Sequence, residues 1–196
     1  MICIATCNHE DTGIYGIAPQ AKVMPLRIFD SHGDTTNSKI AEAILYAVDN
    51  GADIINMSFG SYEDSDEVKN AIDYAVMNNV LIICSAGDYI SSKTAFPARY
   101  GNTISVANLG VYISGFEYEY IDIFVNAENI ESLRFSESQK SLVINYECGS
   151  SASTAILSGI IALKINNMTE NKKTEFLNVL IEIDKRFDIT EIVDYK

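Results

Sequence analysis

Three groups of residues in this chain are of the types that perform nucleophilic hydrolysis. Asp11 stands in an Asp-Thr-Gly tripeptide, His32 in the turn-forming run Asp30–Thr35, and Ser150, Ser151 and Ser153 in the stretch Gly-Ser-Ser-Ala-Ser. A serine hydroxyl becomes a nucleophile when an imidazole within hydrogen-bond reach takes its proton and a carboxylate orients that imidazole. Asp-Thr-Gly also surrounds the carboxylates of aspartic proteases, but those enzymes need two such carboxylates sharing one site in β-rich lobes, and only one is present. Two further stretches, Asn56–Ser61 (NMSFGS) and Cys84–Asp88 (CSAGD), carry small residues where strands should end, leaving room for another chain's backbone. A helix starting near Ser150 would aim its free amides and its dipole at whatever lies there. The same serines equally suit the cap and first turn of that helix.

The elements that must position these residues are legible from periodicity. An apolar run at 21–29 reads as a strand, entered from the turn at Ala18-Pro19. Ile40, Ala43, Ile44, Ala47 and Val48 recur at helical spacing, which predicts a helix over 37–49 with caps among Thr35–Ser38 and a C-terminal stop at Gly51. A strand at 53–58, a helix at 66–77 and a strand at 80–87 follow. The order β–α–β–α–β with nearly continuous apolar strands predicts an α/β fold with a mostly parallel sheet, flanked by helices on both faces. Beyond Gly87, strands are expected at 103–108, 120–127 and 141–147, with an exposed hairpin tip at 135–141. A buried helix is expected at 150–165, and an amphipathic one at 170–187 through Phe176, Val179, Leu180 and Ile183. With no internal repeat, residues 1–196 read as one domain.

A net charge of −13 argues against phosphate backbones and anionic lipid as partners, so neither nucleic acid nor membrane binding is expected. No apolar run approaches the roughly 20 residues of a spanning helix, and the N-terminus lacks the basic region of a signal peptide. Cys3, Cys7, Cys84 and Cys148 read as reduced thiols of a cytoplasmic chain, and the spacing of Cys3 and Cys7 has no second ligand pair to make a zinc site. A fragment freed from a longer precursor would read the same way.

The stretches GIAPQAKVMPLRIFDSHG, AILYAVDNGADIINMSFG and VLIICSAGD resemble consecutive core segments of the subtilisin-like serine proteases, in the correct order from about Ala5 onward. GSSASTAILSG resembles the family's segment around its nucleophile, keeping Gly149, Ser151 and Gly159, with Ala155 and Ile156 in place of the family's proline and histidine. The resemblance implies a subtilisin-like fold in which Ser151 is the counterpart of the nucleophile. It makes Ser58, Phe59 and Gly60 the edge that pairs with an extended substrate, and Ser85, Ala86 and Gly87 the opposite wall of the specificity pocket. Phe96-Pro97 matches an aromatic-proline pair, which makes Pro97 a candidate cis peptide. Asp88 falls where the family has the asparagine of its oxyanion hole. An ionised carboxylate there would repel the developing oxyanion rather than donate to it.

In the same alignment the family's catalytic aspartate and histidine fall upstream of Met1, so Asp11 and His32 become loop residues. Asn8, Glu10 and Asp11 match a loop that binds calcium in family members. It reads here as a solvated acidic loop, and no cofactor is expected. The expected function is a pseudoprotease that binds peptide or protein segments in the remnant cleft. The alternatives are an endopeptidase whose Asp and His come from a separate N-terminal segment or partner chain, and a remnant without a present role. Loss of a covering strand and helix would bare apolar surface around 1–7 and on the 150–165 helix, which predicts self-association.

Overall fold

The computed structural model describes residues 8–9, 13–88, 93–110 and 121–165. Two short strands, β1 (Asn8–His9) and β2 (Ile14–Tyr15), pair antiparallel. Helix α1 spans Asn37–Asp49; Thr36 caps it by accepting from the Lys39 amide, and Gly51 follows the C-cap at φ +77. Strand β3 (Ile54–Met57) leads to helix α2 (Asp66–Met77), capped by the Ser65 hydroxyl, and then to strand β4 (Leu81–Ser85). Strands β5 (Ile104–Asn108) and β6 (Ile123–Val125) complete a parallel sheet of order β3-β4-β5-β6. A separate antiparallel hairpin, β7 (Ile130–Ser136) with β8 (Ser141–Glu147), precedes helix α3 (Ser150–Lys164).

Side-chain alternation along β4 divides the core between the two faces of the sheet. Ile82 and Cys84 point to the face covered by α1 and α2, where they pack with Ile44, Val68, Ile72 and Ala75. Leu81 and Ile83 point to the other face, where Ile104, Val106, Leu157 and Ile161 bury them under α3. Every residue of β4 and β5 is buried, as a central parallel strand covered on both faces must be. Serines tie α3 to the sheet at its two margins: Ser158 Oγ donates to Asn56 Oδ1 at 2.9 Å on β3, and Ser153 Oγ donates to the Val125 carbonyl at 2.8 Å on β6.

One expected strand is absent. Residues 22–29 join no ladder among the described residues, and Val23, Met24 and Phe29 stay exposed. Among the described residues the first strand of the parallel sheet, β3, pairs only with β4. A strand exists by pairing, and an apolar run with no neighbour cannot become one. Strand β7, in contrast, was not anticipated. The exposed tip between it and β8 sits where the sequence places it. The expected helix at 170–187 lies outside the described residues, as do residues 1–7. No described helix is long and apolar enough to cross a membrane.

Candidate functional site

The carboxyl ends of β3 and β4 and the N-terminus of α3 converge on one place. Ser151 occupies the first turn of α3, and its Oγ donates to the Ser58 carbonyl at 3.0 Å. Ser58 answers with its own hydroxyl, which donates to the Ser151 carbonyl at 2.9 Å, while the Asn56 amide donates to Ser58 Oγ at 3.0 Å. Behind this pair, the buried hydroxyls of Ser85 and Ser150 share a hydrogen bond of 2.6 Å. The end of β3, the end of β4 and the start of α3 are therefore joined by small hydroxyl side chains.

Asp88 completes the junction. Its Oδ1 accepts the Ser150 amide at 2.5 Å, placing a carboxylate against the positive end of a 15-residue helix that has no acidic residue in its first turn. Gly149 is what lets it approach. The glycine sits at φ +90, and a Cβ there would lie 2.6 Å from Asp88 Oδ2. The N-cap itself offers no side-chain bond, so Asp88 supplies from 62 residues away what a capping residue supplies locally.

Two backbone segments wall the space in front of this helix end. On one side run Ser58, Phe59 and Gly60; on the other, Ser85, Ala86 and Gly87 with its φ of +96. Residues 94–97 link them. The Ala95 amide donates to the Ala86 carbonyl at 2.9 Å, and Ser61 and Phe96 exchange backbone bonds of 2.8 and 2.7 Å. The Phe96-Pro97 bond is cis. Gly60 packs so tightly on this segment that a Cβ would fall 2.9 Å from both Ala95 Cβ and the Phe96 carbonyl oxygen.

Sequence reasoning missed the clamp that holds this arrangement. The Arg99 guanidinium lies 5.6 Å from the Phe96 ring centroid, donates to the Thr94 and Tyr62 carbonyls at 3.0 Å each, and pairs with Asp64. Lys69 joins Asp64 from the other side at 2.8 Å. The Lys69 hydrogen bond, then that of Arg99, holds the Asp64 carboxyl below its ordinary value, and Asp64 in turn raises the Lys69 ammonium. The one signal of it in the sequence is the acidic run SYEDSDE at 61–67.

The other candidates are not drawn in. His32 is exposed in its turn, its amide donating to Asp30 Oδ1 at 2.8 Å, and no described hydrogen bond joins it to Ser151. Glu10, Asp11 and the side chain of Asn8 lie outside the described residues.

A parallel sheet whose strand ends meet the N-terminus of a serine-bearing helix, across a cleft walled by two backbone segments, places the molecule in the class of α/β serine-protease folds. The chain belongs to the subtilase family of peptidases (peptidase S8), whose family model matches residues 2–181. It is 40% identical over 111 residues to a thermophilic serine proteinase of Bacillus sp. (strain AK1), covering 57% of this chain and 27% of that protein. It is 31% identical over 166 residues to the major intracellular serine protease of Bacillus subtilis (strain 168), covering 80% of this chain and 50% of that protein. The fold superposes on that of sphericase with a TM-score of 0.72 at 24% identity, over 86% of this chain and 64% of the other. The chain thus spans about half or less of the length of these two protease relatives.

Proposed function

We propose that this subtilase-family chain is a pseudoprotease, binding extended peptide segments between Ser58–Gly60 and Ser85–Gly87 without cleaving them. The observation that carries this reading is the fate of the Ser151 proton. It is donated to a backbone carbonyl, which is no base, and the reciprocal bond from the Ser58 hydroxyl to the Ser151 carbonyl ties the same two residues together. Asp88 adds to the argument, because its carboxylate takes up the helix-end amide of Ser150 instead of offering a donor to an oxyanion. Strand-like peptide binding uses backbone segments that flank a groove, which is the role this reading gives the two walls. The test is labelling of the 196-residue chain with a fluorophosphonate, with Ser151→Ala as control, beside binding of an extended peptide library. No labelling with saturable peptide binding is expected. Stoichiometric labelling at Ser151 refutes the proposal.

A second reading has its own support. Among the described residues, one edge of β3 and the run at 22–29 pair with no other strand, and together they offer backbone for an additional parallel strand. In this reading a separate N-terminal segment or partner chain inserts there, brings the aspartate and histidine, and makes the assembly a serine endopeptidase. Labelling at Ser151 that appears only on adding such a segment distinguishes it from the first reading.

A further inference from the structure

A groove runs between α1 and α2 on the surface away from α3, apart from the cleft. Its lining repeats every turn on both helices: Ser38, Ala41 with Glu42, and Leu45 on α1, and Glu67, Asn70 with Ala71, and Tyr74 on α2. Two turns of each helix make it about 10 Å long, with a cavity volume of about 360 Å³. Its hollow comes from the small side chains of Ala41 and Ala71, both buried at the floor. Leu45 and Tyr74 wall its C-terminal half, and the same two helices also expose Tyr46 and Met77, the latter at 82%. The Tyr74 hydroxyl donates to Asp49 Oδ1 at 2.9 Å, so the ring is held in place as a wall.

Glu42 and Glu67 line the groove from opposite helices, and neither has an ion-pair partner among the described residues. The lysines of the two helices are turned elsewhere. Lys69 pairs with Asp64 and Asp66, and Lys39 is not one of the residues that line the groove. An apolar floor with unpaired carboxylates on both walls is complementary to one kind of occupant. We infer that this groove docks a basic amphipathic helix of a partner protein, its leucine-class side chains over Ala41 and Ala71 and its Lys or Arg side chains against Glu42 and Glu67. Tyr74 adds a ring face for a flanking cation.

The experiment uses the full chain and a fluorescein-labelled peptide of Leu-Lys-Lys-Leu repeats, followed by fluorescence anisotropy. Saturable binding that weakens with added salt is expected. Glu42→Gln with Glu67→Gln should weaken it about tenfold. Asn70→Arg, at an exposed helical position, should abolish it by placing a tethered cation in the groove, and unchanged thermal melting shows that these variants fold. A peptide with serine for leucine should not bind. Equal binding of that serine peptide overturns the inference, because the overall charge of −13 would then be the attractant. So does undiminished binding by the double glutamine variant or by Asn70→Arg. Fluorophosphonate labelling does not enter, so this inference and the pseudoprotease reading fail separately.

Discussion

Replacing Asp88 by alanine removes the carboxylate that accepts the Ser150 amide at 2.5 Å, and nothing at the N-cap can replace it, because Gly149 has no side chain. Two effects are lost together. One is a capping hydrogen bond, whose removal costs about 1 kcal/mol on average and up to about 2. The other is the charge at the helix dipole, worth about 0.3–1 kcal/mol and more where partly buried. They share one geometry and do not simply add, so about 2 kcal/mol is the expected loss for Asp88→Ala. In a chain of this length 1 kcal/mol moves the melting temperature by about 2–4 °C, which gives a drop of about 4–8 °C. Asp88→Asn keeps an acceptor and loses the charge, and should fall about halfway. The assay is urea and thermal unfolding of the three proteins at neutral pH, with the urea m-value checked for constancy. If Asp88→Ala melts with the parent, or the two variants lose equal stability, the reasoning fails. The carboxylate would then be a bystander at the helix end, and the case against an oxyanion site would lose its structural support.

Gly60→Ala should cost about 1–3 kcal/mol and weaken peptide binding, because its Cβ would meet Ala95 Cβ and the Phe96 carbonyl oxygen at 2.9 Å; paired unfolding and peptide titrations check both. The depressed pKa of Asp64 makes its contribution complete above the unfolded value near 3.8 and lost as pH falls through the lower folded value. Asp64→Asn should therefore flatten the acid limb of a melting-temperature profile below about pH 4, and an unchanged limb refutes the assignment. Cys148 is exposed and Cys84 is buried under α1 and α2. Peptide-resolved alkylation should modify Cys148 in the native protein and Cys84 only on unfolding, and equal rates would contradict the packing described.

The helices were legible because their signals are local. Thr36 and Ser65 cap where an apolar period begins, and the bounds of α1 and α2 agree with those read from the residues. The run at 21–29 misled because pairing is a property of two segments, and composition speaks for one. Strand β7 was missed because Glu131 and Arg134 interrupt its apolar pattern, while Phe135 turns outward at 51% exposure. At the cleft, family resemblance located Ser58, Ser85 and Ser151, but not what they do to each other. The bond from Ser151 to Ser58 spans 93 residues, and that from Ser150 to Asp88 spans 62. Arg99 looks like any surface arginine until its carbonyl partners are seen. Such long-range polar contacts leave no periodic trace in sequence.

The bonds that α3 makes across the chain also bear on the order of folding. Strands β3 to β5 and helices α1 and α2 can assemble from contacts between neighbouring elements, whereas α3 must close loops as long as the 102 residues between Asn56 and Ser158. Such closures are slow relative to local pairing. Until α3 docks, Leu81, Ile83, Ile104 and Val106 have lost water from one side of the sheet only in prospect. A chain whose residue 150 has not yet left the ribosome therefore carries a sheet covered on one face, the kind of transiently exposed apolar surface that favours aggregation.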